Sequence, residues 1–111
     1  MNDKLKDEHM DDLFDAILTL KSRDECYALF EDLCTIAEIK SLASRFQVAI
    51  LLNKGCTYTE IFDQTGVSTA TISRVKRCLD YGADGYKTVL GRMDNGTDKK
   101  EKERMEGNEK K

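Results

Sequence analysis

Residues 57–79, TYTEIFDQTGVSTATISRVKRCL, decide how this chain is interpreted. The stretch predicts two short helices joined by a tight turn at Gly66, with polar and basic side chains on the second helix. Glycine adopts the positive φ of such a turn at little cost. A bracing helix, a glycine turn and a second helix presented to the major groove form a helix-turn-helix motif. The stretch therefore predicts a reader of double-stranded DNA.

The second helix of this motif has an apolar and a polar face. Ile72, Val75 and Leu79 recur at helical spacing, so we expect them to face the core. Short hydroxyl and methyl groups can approach base edges, while arginine and lysine can bind guanine or phosphate. A solvated amphipathic helix would also carry a polar face, but it would not require the glycine turn. The expected DNA-contacting residues are Thr57, Tyr58, Thr59, Ser68, Thr69, Ala70, Thr71, Ser73, Arg74, Lys76 and Arg77.

The whole chain of 111 residues is predicted to be all-α. Proline is absent, and helix-forming residues are plentiful. The capping-box pattern, a serine or threonine followed three residues later by glutamate, occurs at residues 22–25, 35–38 and 57–60. Apolar periodicity completes the assignment. The predicted helices cover about residues 10–21, 23–34, 36–54, 58–64, 68–79 and 86–90.

The domain organisation follows from where apolar periodicity begins and ends. We expect a flexible acidic arm over residues 1–9, one domain over residues 10–91 and a disordered charged tail over residues 92–111. The third helix is apolar on several sides, which in so short a chain suggests contact with a second subunit. Inward positions predicted on the first two helices include Phe14, Leu18 and Tyr27.

The net charge of −3 is unevenly distributed along the chain. Residues 1–33 contain four basic and ten acidic residues, whereas residues 54–79 contain four basic and two acidic residues. Affinity for nucleic acid follows the local patch that faces phosphate more than the charge of the whole chain. The distribution is therefore compatible with DNA binding, and the modest local excess of positive charge predicts weak non-specific binding.

The four cysteines and the single histidine give no sign of a metal or catalytic site. The cysteines form no CxxC or CxH pair, so we expect reduced thiols, with metal or redox sensing as the alternative. No nucleophile–base set or phosphate loop is recognisable, so we expect neither an enzyme nor a cofactor. No apolar run matches a membrane helix or signal peptide, which favours the reducing cytoplasm and no membrane partner.

Residues 45–55 and 57–74 resemble the Trp repressor superfamily, and in particular its Trp-repressor-like YerC/YecD family. The segments CLDYG at residues 78–82 and GY at residues 85–86 extend the similarity, which covers about residues 10–91. The resemblance implies a bacterial, Trp-repressor-like helical bundle that forms an intertwined homodimer. Each subunit would present one helix-turn-helix to half of a palindromic operator, about 34 Å from the other. The implied function is a transcription regulator, with repression favoured.

The resemblance also implies a possible small-molecule site. In the family, two arginines hold tryptophan, and Arg45 and Arg74 occupy the matching positions; a ligand carboxylate between two arginines would form charge-assisted hydrogen bonds. Here Val75 replaces a glycine that leaves space for the indole, and Cys78 replaces a serine that holds the amino group. We therefore expect no dependence on tryptophan, and any other effector is unknown. Phe62 also departs from the small residue usual at its position, and its ring would either separate the two helices or turn outward.

A second function class remains open at this point. The helix-turn-helix would then be a protein-interaction module that docks on transcription machinery. Binding to DNA that weakens with added salt distinguishes the two, because phosphate contacts release counterions.

Overall fold

The computed structural model describes residues 3–94, which form helices and connecting turns without any β-strand in that range. The all-α prediction is confirmed. None of the helices in this range is long and apolar enough to cross a membrane. After a 3-10 turn at Asp3–Leu5, the helices are α1 Glu8–Leu18, α2 Arg23–Leu33, α3 Ile36–Asn53, α4 Tyr58–Thr65, α5 Thr69–Tyr81 and α6 over residues 85–94.

The start of α3 shows why these helices begin where they do. The Thr35 hydroxyl accepts the backbone N–H of Glu38 at 3.1 Å, and the Glu38 carboxylate accepts the backbone N–H of Thr35 at 2.9 Å. The two bonds complete a capping box and satisfy two donors that the helix itself cannot pair. The pKa of Glu38 is lowered chiefly because its carboxylate accepts the backbone N–H of Thr35. A smaller lowering comes from the Thr35 side chain, which also favours the charged carboxylate.

The first two helices have related but incomplete caps. Ser22 accepts the backbone N–H of Glu25 at 3.1 Å, but the Glu25 carboxylate accepts from Lys21 rather than from Ser22. The predicted capping box is therefore incomplete, because its second bond comes from the backbone N–H of Lys21, one residue before Ser22. At α1 the Asp7 carboxylate accepts the backbone N–H of Met10 at 2.8 Å. This cap starts α1 at Glu8, two residues earlier than predicted.

Both ends of the described chain contain helical turns within the predicted arm and tail. In the arm predicted over residues 1–9, the structure has the 3-10 turn at Asp3–Leu5 and the first two residues of α1, and the flexibility of this arm stays a prediction. At the other end α6 includes residues 92–94, which were assigned to the tail. Leu90 is buried on this helix, and the Asn53 amide donates to the Asp94 carboxylate at 3.4 Å. The rest of the predicted tail, residues 95–111, lies outside the described residues.

The chain divides into two compact units, Met1–Gln47 and Val48–Lys111, with the boundary inside α3. The division falls within the single domain predicted for residues 10–91. The limits of that domain stay a prediction. In the first unit no residue between 3 and 47 is buried. None of its predicted inward residues is buried within one chain, and Phe14, Leu18 and Tyr27 are exposed. The exposed large apolar side chains of this unit are Leu5, Phe14, Leu18, Tyr27, Leu33, Ile36 and Leu42.

The second unit contains the buried core of the described chain. Its helices each contribute apolar side chains that are almost fully excluded from solvent, and α4 contacts α5 directly. The predicted core face of α5 is confirmed, because all three of its residues are buried. The core consists of Val48, Ala49 and Leu51 from α3, Ile61 from α4, Ile72, Val75 and Leu79 from α5, and Leu90 from α6.

Candidate nucleic-acid interface

The bracing helix α4 is fixed at its start and at its centre. The Thr57 hydroxyl accepts the backbone N–H of Glu60 at 3.2 Å, and the Glu60 carboxylate accepts the backbone N–H of Thr57 at 3.2 Å. This is the capping box that the sequence predicted. Ile61 follows directly and is completely buried. The cap and this buried side chain hold α4 in a defined position within the second unit.

The turn after α4 is closed by glycine and by a threonine. Gly66 has φ 71°, the left-handed conformation expected for it, and its N–H donates to the Phe62 carbonyl at 2.8 Å. The Thr65 hydroxyl donates to the Ile61 carbonyl at 2.7 Å and accepts the backbone N–H of Val67 at 3.1 Å. One side chain therefore links the last turn of α4 to the residue beyond the glycine. This role of Thr65 is not among the predictions, although a threonine four residues after a helical carbonyl is a known signal for such a bond.

The start of α5 is capped by Ser68. Its hydroxyl accepts the backbone N–H of Thr71 at 3.2 Å and lies 3.1 Å from the Thr71 hydroxyl. An N-cap serine satisfies one of the donors exposed at a helix start. Ser68 and Thr71 therefore have a structural role in addition to any contact with DNA. Three buried residues of the core then fix the rotation of α5 about its axis.

The predicted DNA-contacting residues are open to solvent, with one exception. Thr71 is half-buried, and Tyr58 is 37% exposed. The exposed face of α5 includes two adjacent rows at helical spacing. One row contains Thr69, Ser73, Lys76 and Asp80, and the other contains Ala70, Arg74, Arg77 and Tyr81. The remaining exposed predicted residues, Thr57, Thr59 and Ser68, lie at or near the starts of α4 and α5.

The basic side chains of α5 differ in their surroundings. Lys76 Nζ lies 3.3 Å from Asp80 Oδ1, one helical turn further along the same row. The side chains of Arg74 and Arg77 form no hydrogen bond or ion pair with other residues in the range 3–94. Asp80 lies one residue beyond the predicted motif, which ends at Leu79, and is therefore not counted in the local charge of residues 54–79. The i, i+4 spacing of opposite charges was the signal that could have identified the pair.

The residues that depart from the family pattern have distinct environments. The Phe62 ring is 51% exposed, which corresponds to the outward orientation among the two alternatives. Val75 is 2% exposed and belongs to the core of the second unit, whereas Cys78 is exposed on α5. In the first unit Arg45 is half-buried, and its Nε donates to the Ser41 carbonyl at 3.5 Å.

The chemical groups available for catalysis or metal binding are sparse. Within residues 3–94 no cluster of three or more histidine, cysteine, aspartate or glutamate side chains could hold a metal ion. The four cysteines are free thiols, of which Cys26 and Cys78 are exposed and Cys34 and Cys56 are half-buried. What the described surface offers is a polar and basic helix on a braced turn.

Comparisons with known proteins identify the family and the fold. Residues 8–94 match the family described as Trp repressor protein. The uncharacterized protein YerC of Bacillus subtilis strain 168 is 57% identical over 91 residues, which cover 82% of this chain and 88% of YerC. A crystal structure of a proposed Trp repressor from Staphylococcus aureus has a TM-score of 0.81 at 54% identity, covering 85% of this chain and 95% of its own. A TrpR-like protein from Eubacterium eligens ATCC 27750 has a TM-score of 0.80 at 55% identity, covering 83% and 95%.

Proposed function

The chain belongs to the Trp repressor protein family, and from this premise we propose that it is a DNA-binding transcription regulator. The observation that carries the proposal is the exposed polar and basic face of α5, held on a turn that Gly66 and Thr65 close. Short side chains near the start of α5 would meet base edges. Arg74, Lys76 and Arg77 would bind guanine or phosphate.

The regulator acts as a homodimer on a palindromic operator in this proposal. Support comes from the first unit, whose large apolar side chains are exposed in a single chain. Exposed apolar surface of this extent commonly marks an interface between proteins. A two-fold dimer would bring one α5 helix to each half-site, about one turn of DNA apart. We propose a bacterial cytoplasmic protein that acts chiefly as a repressor and has no enzymatic role.

Regulation by tryptophan is not part of the proposal. Val75 occupies the position at which the family leaves space for the indole, and its side chain lies in the core of the second unit. The exposed Cys78 replaces the serine that would hold the ligand amino group. Arg45 in the first unit and Arg74 in the second each stay a predicted contact for an anionic group of an effector that is not yet known.

The proposal is tested by measuring how the full chain binds mixed-sequence duplex DNA at several salt concentrations. We expect affinity to fall as salt rises, and we expect Arg77→Ala to reduce the slope of log K against log salt by about 0.9 per chain. Lys40→Ala is the matched control, because it removes one exposed positive charge from α3 in the first unit. An equal reduction of the salt slope in Arg77→Ala and Lys40→Ala would contradict the assignment of the exposed face of α5 to DNA.

One observation favours the second candidate function. Tyr58 and Phe62 lie four residues apart on α4, and both rings are substantially exposed. An interaction module would use such a pair to dock on a partner protein. If the chain fails to bind DNA at low salt, the DNA proposal is wrong and this alternative becomes the better one.

A further inference from the structure

The ion pair between Lys76 and Asp80 lies on the face of α5 that is proposed to meet DNA. Lys76 Nζ is 3.3 Å from Asp80 Oδ1, and the two side chains are 48% and 42% exposed. Thr69 and Ser73 precede this pair in the same row of α5. The carboxylate therefore lies one turn from a lysine that would bind guanine or phosphate in the proposed function.

The pair is poorly arranged for stabilising the helix. A lysine that precedes its acidic partner at i, i+4 is the weaker of the two orders, and exposed ion pairs contribute little. Asp80 also lies in the last turn of α5, where the partial negative charge of the helix end disfavours an acidic side chain. Helix stability therefore gives little reason for Asp80, and the contact that its carboxylate makes in the described chain is with Lys76.

The same contact has a direct consequence for phosphate binding. A phosphate oxygen and the Asp80 carboxylate would compete for the same ammonium group. The side chains of Arg74 and Arg77 have no such competitor among residues 3–94. We infer that Asp80 is a positioning residue that holds Lys76 and thereby attenuates the non-specific affinity of α5 for DNA. The inference rests on the proposed function.

Attenuation of this kind affects discrimination between sequences only where the pair opens at some sites and not at others. Phosphate contacts contribute to binding at every site, whereas base contacts distinguish one site from another. A uniform loss of one phosphate contact lowers the affinity for all sequences alike and leaves their ratio unchanged. Because the pair is exposed and weak, a well-placed phosphate at the correct operator can still displace Asp80 from Lys76.

The test compares binding of the full chain to a mixed-sequence duplex over a range of salt concentrations for the wild type, Asp80→Asn, Lys76→Gln and the double variant. If Asp80→Asn releases Lys76 for phosphate, the salt slope should steepen by less than the 0.9 or so of a full contact per chain, with binding about twofold tighter per chain at 0.1 M salt, because phosphate then no longer displaces an exposed ion pair. In the Lys76→Gln background, Asp80→Asn should change the affinity little. Asp80→Glu should keep the slope of the wild type.

Two controls separate the pair from a general effect of charge. Asp84→Asn removes an acidic group that pairs with Lys87 at 3.9 Å outside α5, and it should leave the slope unchanged. In an Arg77→Ala background Asp80→Asn should retain its full gain, because Asp80 is paired with Lys76.

The outcomes distinguish this inference from the function on which it rests. An equal gain from Asp80→Asn with and without Lys76 would overturn it, because Asp80 would then repel phosphate directly. Salt-dependent binding by the wild type with no gain in Asp80→Asn would overturn it and leave the proposed function intact. If neither the wild type nor Asp80→Asn binds DNA at low salt, the proposed function and the inference are both rejected.

Discussion

Gly66 determines the turn between α4 and α5 through its backbone conformation. These two helices and their turn, residues 57–81, are called the reading head below. The φ of Gly66 is 71°, and a Cβ atom added there would meet no other atom within 4 Å. The requirement for glycine is therefore conformational rather than a matter of space. Gly91 provides the opposite case, since it lies within α6, lacks a positive φ and has equally open surroundings.

The same substitution should consequently have opposite effects at these two glycines. Gly66→Ala should lower the free energy of unfolding by about 1 kcal/mol or more, because an L-residue is disfavoured at that φ. Gly91→Ala should raise it by about 0.5–1 kcal/mol, because alanine restricts the unfolded chain and favours helix. Urea denaturation followed by circular dichroism measures both. Destabilisation at Gly91 would show that added volume, rather than φ, controls these sites.

Single residues differed in how far the sequence could predict them. Gly66 was predictable because a positive φ has a strong chemical preference. The closure by Thr65 was not predicted, since a threonine hydroxyl can bond several local backbone groups and its choice depends on the folded turn. Asp80 lay just beyond the motif, and its spacing from Lys76 alone does not establish that the two groups meet.

At the scale of a helix, local hydrogen bonds set the starting points that the sequence predicted well. The caps of α3 and α4 depend on residues three apart, so their chemistry is contained in the local sequence. The end of α6 was predicted less well. The helix predicted over residues 86–90 continues through Gly91 to residue 94 in the structure. The residues that extend it are exposed, so burial does not explain the extension, and the contact of Asp94 with the Asn53 amide is the tertiary interaction found there.

The capping box of α3 should make its stability depend on pH. The folded chain lowers the pKa of Glu38 from 4.5, so the stabilising contribution is complete well above that value and is lost as pH falls through the lowered pKa. Thermal unfolding at pH 7 and at successively lower pH below 4.5 should show a larger loss of Tm in the wild type than in Glu38→Gln.

The control for that measurement is Glu31→Gln on α2. Glu31 makes no hydrogen bond or ion pair through its side chain within residues 3–94. This variant should therefore follow the pH dependence of the wild type. Identical pH profiles for the wild type and Glu38→Gln would exclude a stabilising role for the charged carboxylate.

At the scale of the molecule, apolar periodicity predicted which faces need cover but not which chain covers them. Phe14, Leu18 and Tyr27 were expected to point inward, yet each is exposed in the isolated chain. A repeating pattern contains no information about whether a partner is intramolecular. The core face of α5 was predicted correctly because its cover comes from the same chain.

The proposed dimer predicts a specific response to charge at Leu18. In a monomer this side chain is 81% exposed, so Leu18→Lys would have little effect. In a dimer that covers it, the lysine would be buried without a partner and would weaken association strongly. Sedimentation should give twice the chain mass of 12.6 kDa at micromolar concentration for the wild type and a shift to monomer for Leu18→Lys.

Asp12→Lys tests whether charge alone causes such a shift. Asp12 is exposed on the same helix, so its replacement should leave the dimer largely intact. A stable wild-type monomer, or a dimer that tolerates Leu18→Lys, would contradict the proposed pairing through this surface.

The separation of the buried core from the exposed apolar helices has a consequence for gene control. Residues 48–94 contain every buried side chain of the described chain, whereas residues 3–47 contain none. Under the proposed pairing, the stability of the first unit depends on chain concentration, while the reading head has a core of its own. Newly made copies would then have formed reading heads before they find partners. When most chains are unpaired, the concentration of dimer rises with the square of the chain concentration. Operator occupancy would therefore rise more steeply than in proportion to the amount of protein made.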